Sequence, residues 1–222
     1  MKKILVFDVN ETLLDLKSLD PLFEKIFGDS LVRQQWFGQF IHNAFLTIIT
    51  DSYQPFGKIG MAALEMVAQR NGITLLEEDK VSIANGIKHL SPHLEVPEAL
   101  MRLKTEGFCL VTLTNSTEEV VNAQIENAGL KNYFEKVFSA DSVKKLKPAK
   151  EPYEFVAKQL NVATKDLMLI AAHAWDIAGA LKAGCSAAFI ARTGLVLNPL
   201  VSQPHIVGQD LGEVADKIIK SS

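Results

Sequence analysis

Apolar residues fall along this chain in two regimes: short uninterrupted runs, and longer stretches in which they recur every three or four positions. The first run, Ile4 to Phe7, ends abruptly on Asp8. Further runs are Phe108 to Leu113, ending on Thr114-Asn115; Val137-Phe138; Leu167 to Ala172, ending on His173-Ala174-Trp175-Asp176; and Ala187 to Ala191. Runs of this length without polar alternation predict strands buried on both faces of a parallel sheet.

The helical period dominates from about 15 to 92. Leu22, Phe23, Ile26 and Phe27 share a face and Gly28 ends the segment; Leu31 to Ile49 is amphipathic and carries Arg33, Trp36, Phe37, Phe40 and Phe45. After a turn-rich break from Asp51 to Gly57, Met61 to Arg70 and Glu77 to His89 predict two more helices, the former stopped by Asn71-Gly72. Beyond Pro92 and Pro97 the strands alternate with helices: one opened by a Ser116-x-x-Glu119 capping box and ended by Gly129, one over about 151–160, and one from Asp176 to Ala183.

This order predicts an α/β doubly wound core of residues 1–14 and 93–222, with an all-helical cap of residues 15–92 inserted after the first strand. In an open α/β sheet ligands bind beyond the carboxyl ends of the strands. An insertion beside Asp8 therefore lies over that crevice as a lid.

Composition narrows the class. With 48% apolar and 22% charged residues the chain is too apolar for disorder, and a net charge of −3 favours neither a nucleic acid nor an anionic membrane as partner. Met1 to Val6 opens like a signal peptide, but Asp8, Asn10 and Glu11 cut the apolar run short, and no stretch approaches the roughly 18 apolar residues that span a bilayer. The two cysteines, Cys109 and Cys185, lack metal spacing and read as buried free thiols of a reducing compartment. A soluble cytoplasmic protein is expected.

The strand ends carry the candidate chemistry: Asp8, then Thr114 and Asn115, then Lys147 in a loop, then His173 and Asp176. Singly, Asp8 or Thr114 serves as well to cap a turn, Lys147 as a solvated loop residue and Trp175 as packing. Together they suit nucleophilic catalysis by a carboxylate. Lys147 keeps Asp8 ionised by opposite charge, and Thr and Asn side chains bind an anion by hydrogen bonds.

These residues, with their order and spacing, resemble the haloacid dehalogenase superfamily and, within it, the type II L-2-haloacid dehalogenases. The resemblance runs through Phe7-Asp8-x-x-x-Thr12-Leu13, Leu31-Val32-Arg33-Gln34, Glu95-Val96-Pro97, Leu113-Thr114-Asn115, Lys147-Pro148 with Tyr153, Ala174-Trp175-Asp176 and Arg192-Thr193-Gly194. It implies a Rossmann-like core and a hydrolase of short 2-haloalkanoic acids that uses water and neither metal nor organic cofactor, with a homodimer as the possible assembly. Asp8 would displace halide to form an ester, which water then cleaves to a 2-hydroxy acid. By the same resemblance Arg33 meets the halide or the substrate carboxylate, helped by Asn115. Thr114 holds the carboxylate, Thr12 and Lys147 orient Asp8, and Asp176 and Tyr153 support Lys147 and the water. Asn10, Gln34, Phe37, Phe56 and Trp175 complete the substrate pocket.

Two positions separate this reading from the phosphatases of the superfamily. These place a second acid two residues after the nucleophile and another four before the equivalent of Asp176; here stand Asn10 and Ala172. Two stretches depart from the dehalogenase pattern. Asn10 and Glu11 replace the Tyr-Gly of the nucleophile turn, and Ala171 and His173 replace the Ser and Asn before Asp176. His173 then either acts as a general base or only hydrogen-bonds its loop. A small-molecule phosphatase and a binding member without catalysis are the alternative readings.

Overall fold

The computed structural model describes residues 4–221, so Met1 to Lys3 of the opening stretch lie outside the described residues. Six strands form one sheet in the order β5-β4-β1-β6-β7-β8: β1 Ile4–Phe7, β4 Cys109–Thr114, β5 Lys136–Ser139, β6 Leu167–Ala171, β7 Ser186–Ile190 and β8 Ile206–Gly208. Every pairing is parallel. β1 lies between β4 and β6, with Phe7 in register with Thr112 and Ile170. Three chain-distant strands thus end side by side around Asp8.

The uninterrupted apolar runs have the expected cause. Successive residues of a strand face opposite sides, and here both sides are core. Leu5, Phe7, Leu110, Met168 and Ile170 pack in one cluster. Val6, Val111, Leu113, Leu169 and Ala171 pack in the other. Helices α5 Val96–Thr105, α6 Glu118–Asn127, α7 Lys150–Gln159, α8 Ala174–Lys182 and α9 Leu211–Lys220 cover the sheet.

Between β1 and β4 the chain leaves and re-enters this layer through a two-stranded antiparallel ribbon, β2 Leu14–Asp15 with β3 Ser91–Pro92. The cap beyond it consists of a short 3-10 turn and helices α1 Asp20–Phe27, α2 Val32–Ile49, α3 Phe56–Arg70 and α4 Glu77–Lys88. Trp36 is buried at the centre of the cap, tilted against Phe23 and Phe40, and its Nε1 donates to Gly60 O at 2.9 Å. A Cβ on Gly60 would come within 2.7 Å of the Phe40 ring, so only glycine allows α2 and α3 to approach this closely.

Several local expectations are corrected. No capping box forms at Ser116: α6 starts at Glu118, and its N-cap, Thr117, makes no side-chain bond. Glu119 instead pairs with Lys88 of the cap at 2.8 Å, and Ser116 Oγ lies 3.5 Å from Asn10 Nδ2. Helix α3 starts at Phe56, more than a turn before Met61, because Pro55 with its fixed φ makes a ready N-cap. Cys185 is buried but Cys109 is only half-buried; both are free thiols. Among the described residues no helix is long and apolar enough to cross a membrane.

Candidate active site

Asp8 is the first residue past β1, and its amide continues the ladder by donating to Ile170 O at 3.1 Å. The chain then turns sharply, with Glu11 at φ +60°, a left-handed conformation that side chains other than Gly, Asn and Asp rarely adopt. This turn brings Thr12 back beneath Asp8: Thr12 Oγ1 donates to Asp8 Oδ2 at 2.8 Å and accepts from Ala172 N at 3.0 Å. Arg192 fixes the turn from outside, donating to Thr12 O at 2.8 Å while paired with Glu95 at 2.6 Å.

Lys147 is fully buried and forms the hub of the site. Its Nζ donates to Asp8 Oδ1 at 2.9 Å, Asp176 Oδ2 at 2.5 Å and Leu113 O at 2.8 Å, which uses all three ammonium protons. Asp176, in the first turn of α8, accepts on its other oxygen from Tyr153 OH at 2.5 Å. Asn115 clamps the Lys147 backbone from both sides, accepting from its N at 2.7 Å and donating to its O at 3.2 Å.

The electrostatics follow from these contacts. Burial would raise the Asp8 pKa, but the Lys147 charge and hydrogen bonds from His173 and Lys147 outweigh it and hold the carboxyl well below its usual range. Burial also opposes charge on Lys147, and the carboxylates of Asp176 and Asp8 overcome it and raise its pKa. Asp176 is pushed up by burial against the pull of Lys147. Burial and the neighbouring Asp176 keep Tyr153 protonated as a donor.

His173 ends the loop after β6 and precedes α8. Its Nδ1 lies 3.3 Å from Asp8 Oδ2 and its Nε2 lies 3.3 Å from Glu11 Oε2. The ring stacks on Trp175, centroids 5.1 Å apart, with Phe37 of the cap at 5.6 Å. Burial disfavours its charge, yet hydrogen bonds to Asp8 and Glu11, with their charges, bring its pKa to about 9. A proton on the ring is thus favoured while both carboxylates are charged.

A narrow pocket of about 10 Å³ opens on Asp8, lined by Asn10, Phe37, Ile41, Phe56, Thr114, Asn115, His173 and Trp175. This volume is close to the least that holds a water. Thr114 Oγ1 accepts from Ser116 N at 3.2 Å, which leaves its O–H to point elsewhere. Asn10 is fixed by Gln124 Nε2, which donates to its Oδ1 at 2.9 Å. Ile41 was not singled out in the sequence. Its spacing of four from Phe37 on α2 is the signal that places it on the same face.

Arg33 and Gln34 are not among these lining residues. They line an adjoining cavity of about 450 Å³ that also holds Glu11, His93 and Arg192. Two carboxylates draw the guanidinium there: Asp20, hydrogen-bonded to Arg33 Nε, and Glu11, 3.8 Å from its Nη1. Thr12, Lys147, Tyr153 and Asp176 lie beneath Asp8 and off this lining, where they position it. A third cavity, of about 340 Å³ and largely apolar, shares Asn10, Phe37 and Phe56 with the pocket. For a metal, the two acids Asp8 and Asp176 both turn onto Lys147, and no grouping of three or more His, Cys, Asp or Glu able to hold an ion occurs among the described residues.

A carboxylate gripped by a lysine and facing a narrow pocket at the carboxyl edge of a capped parallel sheet is the arrangement of a class of hydrolase. The chain belongs to the haloacid dehalogenase-like hydrolases, a family that matches residues 2–184. It is 26% identical over 211 residues to (S)-2-haloacid dehalogenase 2 of Pseudomonas sp. (strain CBS-3), covering 94% of this chain and 92% of that one. It is likewise 26% identical over 208 residues to haloacetate dehalogenase H-2 of Moraxella sp. (strain B), covering 92% and 93%. Its fold matches an L-2-haloacid dehalogenase from Xanthobacter autotrophicus with chloropropionic acid covalently bound, at TM-score 0.93 and 21% identity over 100% of both chains.

Proposed function

We propose that the chain is a hydrolytic dehalogenase of short-chain 2-haloalkanoic acids, working through an ester on Asp8 without metal or organic cofactor. The observation that carries this reading is the Asp8 carboxylate, hydrogen-bonded at 2.9 Å to Lys147 on one oxygen and at 2.8 Å to Thr12 on the other, facing the narrow pocket. Such a carboxylate is ionised, aligned and shielded from water, the state a weak nucleophile needs to attack carbon. The relatives named for haloacid and haloacetate dehalogenation and the neighbour with covalently bound chloropropionic acid support the same reading.

In the first step Asp8 attacks C2 and halide leaves with the bonding pair. Thr114 and the remaining N–H of Asn115 meet the substrate carboxylate, while Phe37, Phe56, Ile41 and Trp175 exclude solvent. With Arg33 held by Asp20 and Glu11, the cation that lines the pocket beside the departing halide is His173. In the second step water attacks the ester carbonyl of Asp8 and releases the 2-hydroxy acid.

The test is halide release from haloacetates and 2-chloropropionate in excess EDTA, by wild type and Asp8→Asn. Release that survives EDTA and is lost in the variant is expected. Absence of release, with Mg²⁺-dependent phosphate release from phosphoesters in its place, would overturn the proposal.

A further inference from the structure

Step one of the proposed reaction consumes a negative charge that the neighbouring side chains are arranged around. Asp8 Oδ2 faces His173 Nδ1 at 3.3 Å, and the far nitrogen of the same ring faces Glu11 Oε2 at 3.3 Å. His173 therefore bridges two carboxylates, one of which is the nucleophile. The ring is stacked on Trp175 and packed by Phe37. Glu11 reaches it from a backbone at φ +60°, a strained conformation that persists only where the surroundings enforce it. Arg33 holds the opposite oxygen of Glu11 at 3.8 Å.

We propose that Glu11 and His173 form a catalytic dyad that becomes the base for ester hydrolysis once Asp8 has been alkylated. This inference rests on the dehalogenase reading above. While Asp8 is ionised, the ring is held protonated between its two carboxylate partners. When the Asp8–C2 bond forms and the C2–halogen bond breaks, the charge on Asp8 is gone, and Glu11 remains the single acid in contact with the ring. The Nδ1 proton then leaves with the halide, and Nε2–H stays on Glu11, which fixes the tautomer. The freed Nδ1 lone pair points at the new ester. A water in the small pocket gives its proton to Nδ1 as its oxygen adds to the Asp8 carboxyl carbon. Collapse breaks the bond to the substrate oxygen, which leaves as the hydroxyl of the 2-hydroxy acid. Asp8 is again a carboxylate and His173 again an imidazolium. Over the cycle one haloacid and one water give one hydroxy acid, one halide and one proton.

The groups that face His173 are Asp8, with Lys147 behind it, and Glu11, with Arg33 behind it. Its base strength thus depends on whether Asp8 is charged, which ties the availability of the base to completion of the first step.

The experiment mixes wild type, His173→Asn and Glu11→Gln with bromoacetate, and follows halide in the burst and the steady state together with intact protein mass. Wild type is expected to turn over repeatedly. His173→Asn is expected to release one equivalent of bromide, to gain one carboxymethyl group, and to hydrolyse it about 10²–10⁴-fold more slowly. Glu11→Gln, which keeps an acceptor for Nε2–H without the charge, is expected to slow hydrolysis about tenfold relative to alkylation, an intermediate effect on the same scale. It serves as the deciding variant if His173→Asn fails to fold. Steady turnover by either variant in the wild-type ratio of burst to steady rate, without the adduct, would overturn the dyad. If wild type itself neither releases bromide nor gains mass, it is the dehalogenase reading that fails.

Discussion

Replacing Lys147 by methionine keeps most of the buried stem and deletes the ammonium. Three acceptors then lose their donor at once: Asp8 Oδ1, Asp176 Oδ2 and Leu113 O, now 2.9, 2.5 and 2.8 Å from Nζ. Removing one partner of a buried ion pair costs about 3–5 kcal/mol, because the remaining charge has no water to return to. With a urea m-value of about 2–3 kcal/mol/M, that lowers the unfolding midpoint by roughly 1–2 M. The deficit has a definite pH dependence. In wild type the folded pKa of Asp8 is depressed, so its stabilisation is present above the ordinary 3.8 and is lost only as pH falls below that value. In the variant burial acts on Asp176 without the opposing lysine, its already raised folded pKa rises further above the unfolded one, and its contribution is lost as pH rises. The difference between wild type and Lys147→Met is therefore expected to shrink between pH 7.5 and 5. Urea unfolding of both proteins across that range measures it. A deficit below about 1 kcal/mol, the size of an exposed pair, or one that does not change with pH would refute the view of Lys147 as the buried counter-charge.

His173 carries the opposite sign. Its folded pKa is raised from 6.5 to about 9, so its stabilisation is complete below 6.5 and lost as pH rises through 9. The displacement corresponds to at most roughly 3 kcal/mol, and the stability gap between wild type and His173→Asn is expected to close on going from pH 6 to 9.5 in urea titrations. Gly179 lies on α8 beneath Tyr153; a Cβ there would meet Pro148 Cβ at 2.6 Å and Tyr153 OH at 2.7 Å. Gly179→Ala is expected to cost about 1–3 kcal/mol through overpacking. It should also lower halide release by displacing the Tyr153 hydroxyl from Asp176, with thermal melting and initial rates as the checks.

The strands were legible because burial on both faces leaves few polar positions inside them, Thr112 of β4 being one, so a cluster of polar residues after an apolar run marks a strand end. Asp8, Thr114-Asn115 and His173 to Asp176 all stand in that position, and the parallel sheet brings them together. The cap was legible for a similar reason: its helices share one apolar centre around Trp36, which imposes the three-four spacing. Helix α9 carried the same signal in Leu211, Val214, Ala215 and Ile218 after the N-cap Asp210, and was not singled out. Side-chain partnerships were another matter. Nothing in the spacing of Arg33 shows that Asp20 and Glu11 compete for it, and Glu119 takes Lys88 in place of its own helix end. Glu11 occupies a left-handed turn position, so its side chain swings to His173, a direction no periodicity predicts.

The central claim is that Asp8 is alkylated and its own carbonyl is then attacked by water. Single turnover in heavy-oxygen water, with enzyme in excess over bromoacetate, tests it at the atom concerned. Heavy oxygen is expected in the Asp8 side chain, found in the peptide spanning Ile4 to Asp15 by mass spectrometry, while the glycolate formed stays unlabelled. Label in the glycolate, with none in Asp8, would mean that water attacks C2 directly and would contradict the claim.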